Sequence, residues 1–85
     1  MPSKTVTVGS SVGLHARPAS TIAQAASEAG VPVTLATAGG QPVDAGSALL
    51  IMTLGAKKGD EVTVESDDAS VMEKIADLVE SDLDA

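Results

Sequence analysis

An imidazole and a guanidinium stand two positions apart in the string Gly13-Leu14-His15-Ala16-Arg17-Pro18-Ala19. His15 is the only histidine of the chain. Imidazole titrates near neutrality, so a ring nitrogen with a free lone pair is available as a nucleophile at physiological pH. Arg17 can reach back toward a group on that ring, and a guanidinium suits phosphate geometry. The residues that follow predict a helix beginning at Ala16, which puts His15 at its N-cap. Histidine is not a favoured cap; Ser, Thr, Asp and Asn are. The helix start therefore keeps unpaired backbone N–H groups, at Ala16 and Arg17, and the positive end of its dipole. Such a terminus favours an anion, and the nearest acid in sequence is Glu28. A phosphoryl group on His15 would meet those N–H groups and Arg17 already in place. Each charge-assisted bond contributes about 1.5–3 kcal/mol and the dipole about 0.3–1 kcal/mol, sizes that steady a group without trapping it. Taken alone, the His-x-Arg triplet reads equally well as a plain cap and a surface charge. The full string, with a strand before it and a helix after it, is far more specific.

The elements around this string follow from periodicity. Thr5-Val6-Thr7-Val8 alternates polar and apolar and predicts a half-buried strand. Gly9 to Gly13 is a loop. Ala16 to Ala29 is Ala-rich and free of Gly, which predicts a helix. Pro18 falls in its first turn, where a missing N–H is harmless, and Gly30 is a suitable stop. Val31, Val33 and Leu35 alternate as a second strand. Gly39-Gly40 turns the chain into a short third strand, Gln41 to Asp44, which Pro42 pushes to a sheet edge. Ala48 to Leu54 fits strand or helix; Ser47 before it and Gly55 after it favour a short helix. Lys57-Lys58-Gly59-Asp60 is a turn, and Glu61 to Glu65 alternates as a fourth strand. Val71, Met72, Ile75, Leu78 and Val79 form a helical stripe, with Ser70 and Glu73 spaced as a capping box. The order is β-α-β-β-α-β-α. The expected fold is a two-layer α/β (α+β) sandwich, with three helices on one face of a four-stranded antiparallel sheet. The fourth strand should insert between the first and second.

Composition narrows the function. A chain of 85 residues predicts one domain, 1–85. It buries only about 60% of its unfolded surface, too little for a deep enclosed active site. Hydrophobic residues make up 44% and charged residues 20%, an ordinary globular balance. The absence of Phe, Trp and Tyr leaves no platform for stacking bases. The net charge of −7 has the wrong sign for a duplex, so no nucleic-acid partner is expected. That charge is uneven: residues 1–43 carry +1 and residues 44–85 carry −8. The absence of cysteine excludes thiolate chemistry, and a single histidine cannot build a multi-His site, so no metal is expected. No apolar run approaches the roughly 20 residues of a membrane span. The first residues alternate like a strand instead of forming a charged-then-apolar leader. A cytoplasmic protein without membrane insertion is the expectation.

Gly13, Leu14, His15, Arg17, Pro18 and Ala19 together resemble the active-site motif of HPr, the histidine-containing phosphocarrier family of the bacterial phosphoenolpyruvate:sugar phosphotransferase system. The likeness extends over essentially the whole chain. A second match begins at Ser47 and runs through Ala48-Leu49-Leu50-Ile51-Met52-Thr53-Leu54-Gly55, similar to the segment around the family's regulatory serine. Length and element order also fit the family's open-faced β-sandwich.

The resemblance implies a stoichiometric carrier and not an independent enzyme. It implies that His15 is phosphorylated on Nδ1 by enzyme I, itself charged from phosphoenolpyruvate. The group would pass to a histidine of sugar-specific IIA domains. Arg17 would steady the phosphoryl group and aid docking. Leu49, Met52 and Ala48 would fall in an apolar docking patch; on a helix this short, core packing is the competing reading. The implied protein is a monomer that needs no cofactor. Two positions depart from the family pattern. Ala16 replaces a residue that is often Thr, removing one side-chain contribution near the phosphate. Ala48 is smaller than the usual aliphatic, which reshapes the patch. Ser47 has a structural role as N-cap. The resemblance also makes it a candidate for regulatory phosphorylation by HPr kinase/phosphorylase, which would disrupt the apolar patch by charge. Against this, Ala45-Gly46 precedes it where kinase-regulated relatives often carry a basic residue. The alternative function is a regulatory module of the same fold that binds protein partners without phosphoryl flux. Such modules typically lack the histidine. An acyl carrier fits by size and charge, but the chain has no Asp-Ser-Leu attachment site.

Overall fold

The computed structural model describes residues 2–9 and 13–81. It contains strands β1 (Ser3–Thr7), β2 (Val33–Thr37), β3 (Val43–Asp44) and β4 (Glu61–Ser66). The helices are α1 (Ala16–Ala29), α2 (Ala48–Thr53) and α3 (Ala69–Glu80). Alternation of apolar and polar residues sets the sheet. In β4, Val62, Val64 and Ser66 are buried while Glu61, Thr63 and Glu65 are not. One face is therefore packed and the other is open, as a period of two demands. On the open face the hydroxyls of Thr5 and Thr63 meet across the ladder at 2.9 Å.

The strand order is β1-β4-β2-β3, with every pair antiparallel. β4 inserts between β1 and β2, as expected, pairing Val6 with Val62 and Leu35 with Val64. The packed face meets the helices in a core that includes Ile22, Leu35, Ile51, Val62, Val64, Ile75 and Val79, all fully buried. Each such side chain contributes about 1.5–3 kcal/mol relative to leaving it exposed. Ala19, Ala23 and Ala26 form the inward stripe of α1. Without aromatic residues, these small side chains let helix and sheet pack close. α3 lies on β1 and β4, and α1 lies against α2 and α3.

Four local readings change. β1 ends at Thr7, but the pairing continues, with Val8 N–H on Asp60 O at 2.9 Å and Gly59 N–H on Val8 O at 3.0 Å. β2 starts at Val33 and not Val31, because Pro32 has no N–H to give a ladder. β3 shortens to Val43–Asp44 for the same reason; Pro42 precedes it, and the strand is at the sheet edge. The cap of α3 is Asp68 in place of Ser70: its Oδ1 accepts Ser70 N–H at 3.0 Å and Val71 N–H at 3.2 Å. A carboxylate placed to take two orphan amides starts the helix two residues earlier than the Ser70–Glu73 box would. Glu73 instead pairs with Lys4 at 3.3 Å. The loop expected over Gly9–Gly13 includes Ser10–Val12, which lie outside the described residues. Among the described residues no helix is long and apolar enough to cross a membrane.

Candidate functional site

The chain enters the site at Gly13, whose φ of +76° is left-handed. A Cβ there would stand 2.5 Å from Ala56 O and 2.9 Å from Lys57 Cα. Only glycine meets both the dihedral and the close approach. The next residue, Leu14, is buried, and its N–H donates to Ala56 O at 2.9 Å. Beyond His15, Pro18 and Ala19 are buried in the first turn of α1. The main chain at His15 is thus fixed on both sides while its side chain is exposed.

His15 is the N-cap of α1, with extended backbone (φ −87°, ψ −164°) and no side-chain cap hydrogen bond. Its carbonyl accepts Ala19 N–H at 2.8 Å, the first bond of the helix. The amides of Ala16 and Arg17 find no acceptor among the described residues. No acid occupies the first turn. The other two helices differ, since Ser47 and Asp68 cap them through their side chains. The ring is therefore free for chemistry, beside two donors and a positive dipole end. Arg17 is exposed and pairs with no carboxylate among the described residues.

α2 supplies the adjoining surface. Ser47 Oγ accepts Leu50 N–H at 3.3 Å, so the serine caps this helix. Ile51 points inward and is fully buried. Leu49 is 68% exposed and Leu50 39% exposed, the large apolar side chains most open to solvent among the described residues. Ala48 and Met52 are half-buried against the core. Of the expected patch, Leu49 faces out fully while Ala48 and Met52 divide between core and surface. Leu50 is exposed as well, which sequence reasoning missed because a helix of six residues is too short to reveal its face by period.

His15 and Met52 line one shallow depression of about 210 Å³, together with Leu14, Gly55, Ala56 and Lys57. Arg17 does not line it. Lys57, read from sequence as a turn residue, is the basic side chain that shares this depression with the imidazole. Nothing in the spacing of residues 15 and 57 signals it; the link is the Leu14–Ala56 hydrogen bond. A larger depression of about 500 Å³ lies between the end of α1, β2 and β3 and does not include His15. Among its lining residues the Ser27 hydroxyl donates to Gly46 O at 3.5 Å and the Asp44 carboxylate accepts Gly46 N–H at 2.8 Å. Among the described residues no three His, Asp or Glu side chains cluster as a metal site.

Comparison with known proteins bears on this arrangement. Residues 2–81 match the family described as "PTS HPr component phosphorylation site". The chain is 45% identical to the phosphocarrier protein HPr of Streptomyces coelicolor over 87 aligned positions, covering 99% of this chain and 94% of that protein. It superposes on HPr-C-His from Thermoanaerobacter tengcongensis with a TM-score of 0.88 and 30% identity, covering 100% of this chain and 98% of that one. The phosphocarrier protein HPr of Bacillus anthracis gives a TM-score of 0.82 and 31% identity, covering 92% and 95% of the two chains.

Proposed function

Since this chain belongs to the HPr family, the phosphocarriers of the phosphotransferase system, we propose that its phosphoryl group is carried on Nδ1 of His15. The observation that supports this reading is the N-cap itself. An exposed imidazole without a capping bond stands at a helix start whose first two amides find no acceptor among the described residues.

In this reading the neutral ring holds its proton on Nε2 and a lone pair on Nδ1. That lone pair forms the P–N bond as the bond from phosphorus to the donor breaks, and the donor keeps the electron pair. The ring gains a positive charge and the phosphoryl oxygens keep their negative charge. The Ala16 and Arg17 amides, the dipole of α1 and the Arg17 guanidinium face that charge. All act on an exposed group, so they favour the bound phosphoryl modestly and leave it transferable. Delivery reverses the step: an acceptor nitrogen attacks phosphorus and His15 recovers its lone pair.

Enzyme I is the donor in this reading and the histidine of a sugar-specific IIA domain is the acceptor, in the cytoplasm. The 85 residues act as one carrier domain, turning over only with these partners. Leu49, with Met52 and Ala48 beside it, is the apolar surface on which they dock. Ser47 is a helix cap first. A phosphate on its Oγ would place a double charge at the edge of that surface and disturb the Leu50 cap bond, which is the physical basis for regulation by HPr kinase/phosphorylase.

Phosphoenolpyruvate, magnesium and enzyme I should add one acid-labile phosphoryl group to the wild-type chain. His15→Ala should stay folded and gain none; equal uptake by that variant would remove His15 from the role.

A further inference from the structure

We propose that Lys57 is a second phosphoryl-binding cation, facing the group on His15 from the segment that follows α2; this rests on the assignment of His15 as the carrier. The backbone of Lys57 is held tightly against the His15 loop. Ala56 O takes the Leu14 amide at 2.9 Å. Gly13 has no Cβ where one would stand 2.9 Å from Lys57 Cα. The turn beyond is closed reciprocally: Lys57 N–H donates to Asp60 Oδ2 at 2.9 Å and Asp60 N–H donates to Lys57 O at 2.9 Å. These contacts fix where the lysine stem starts, on the wall of the depression that His15 also lines.

The charge at that wall is uncommitted. Among the described residues Lys57 has no carboxylate partner, whereas Lys4 is paired with Glu73. Among the described residues no acid lines the depression. Asp60, the nearest acid in sequence, uses its carboxylate on the Lys57 amide and lines a different depression with Thr37, Ala38 and Glu61. Arg17 does not line the depression, so Lys57 is its basic residue among those described. The ammonium is a compact charge on a flexible stem with three rotatable donors, suited to follow a phosphoryl group that arrives and leaves. Lys58, next in sequence, does not line the depression and is the internal control.

The test is the position of the phosphotransfer equilibrium at fixed phosphoenolpyruvate and pyruvate with enzyme I. An equilibrium reports the stability of the phosphorylated chain and not the docking rate. Lys57→Met should lower the phosphorylation equilibrium constant about threefold, the size expected for an exposed ion pair. Lys57→Arg should restore it, and Lys58→Met should leave it unchanged. The ³¹P resonance of the phosphoprotein should shift in Lys57→Met and not in Lys58→Met. A wild type phosphorylated on His15 with an unaltered equilibrium in Lys57→Met would overturn the role of Lys57 alone, as would equal losses in both lysine variants. A wild type that takes no phosphate on His15 would overturn the carrier assignment and this inference with it.

Discussion

The amide of Leu14 donates to the carbonyl oxygen of Ala56 at 2.9 Å. This bond joins the residue before His15 to the segment leaving α2. It brings together the N-terminus of α1, which offers the imidazole and its amides, and the α2 surface, which offers Leu49 and Leu50 to solvent. A carrier needs both at once: a group that reacts and a surface on which partners settle. The burial of Leu14 and of Pro18 and Ala19 on either side of His15 keeps the imidazole out of the core without letting its backbone wander.

Gly13 is the backbone condition for that junction. Gly13→Ala forces a side chain into a left-handed conformation and against Ala56 O, 2.5 Å away. The dihedral alone costs about 1–2 kcal/mol, and the contact adds to it. Urea unfolding should show a loss of about 2 kcal/mol or more. A midpoint equal to the wild type would mean that the loop does not need this approach.

Arg17 is exposed and carries no partner among the described residues, so its removal leaves nothing buried unpaired. Arg17→Ala should unfold at the wild-type urea concentration and slow phosphoryl transfer from enzyme I on the order of tenfold, the weight of one charge-assisted bond. Stopped-flow or quench kinetics that match the wild type would exclude Arg17 from transfer.

Leu49 and Ile51 lie two residues apart on α2 with opposite roles. Ile51 is fully buried and Leu49 is 68% exposed. Ile51→Ala should cost about 2–5 kcal/mol of stability through the cavity it leaves. Leu49→Ala should change stability by no more than about 0.5 kcal/mol and raise the apparent KM of enzyme I for the carrier. Calorimetry and transfer kinetics on the pair separate the two. A stability loss at Leu49 as large as that at Ile51 would place both in the core.

Much of this was legible in the sequence. Alternation in Glu61–Glu65 and the Ala-rich run after Ala16 specify their elements by period and propensity, and they appear where expected. The insertion of β4 between β1 and β2 was expected because a β-α-β crossover leaves room for a later strand, and the strand order has it there. His15 was visible as an anomalous cap because the rule it breaks is a local one. What stayed hidden depended on geometry that no window of sequence contains. Asp68 outcompetes Ser70 as a cap because its carboxylate reaches two amides. Leu50 turns outward on a helix too short to display a stripe. Lys57 meets the His15 site through tertiary contacts, the bond between Leu14 and Ala56 and the close approach of Gly13 to Lys57.

The central claim is that phosphorus bonds to Nδ1 of His15. The direct measurement is heteronuclear NMR on ¹⁵N-labelled full-length chain after phosphorylation with phosphoenolpyruvate and enzyme I. The expected result is ¹⁵N–³¹P coupling at Nδ1 of the single imidazole, with Nε2 still bearing its proton. Coupling at Nε2, or an imidazole spectrum unchanged while phosphate is found elsewhere on the chain, would contradict it.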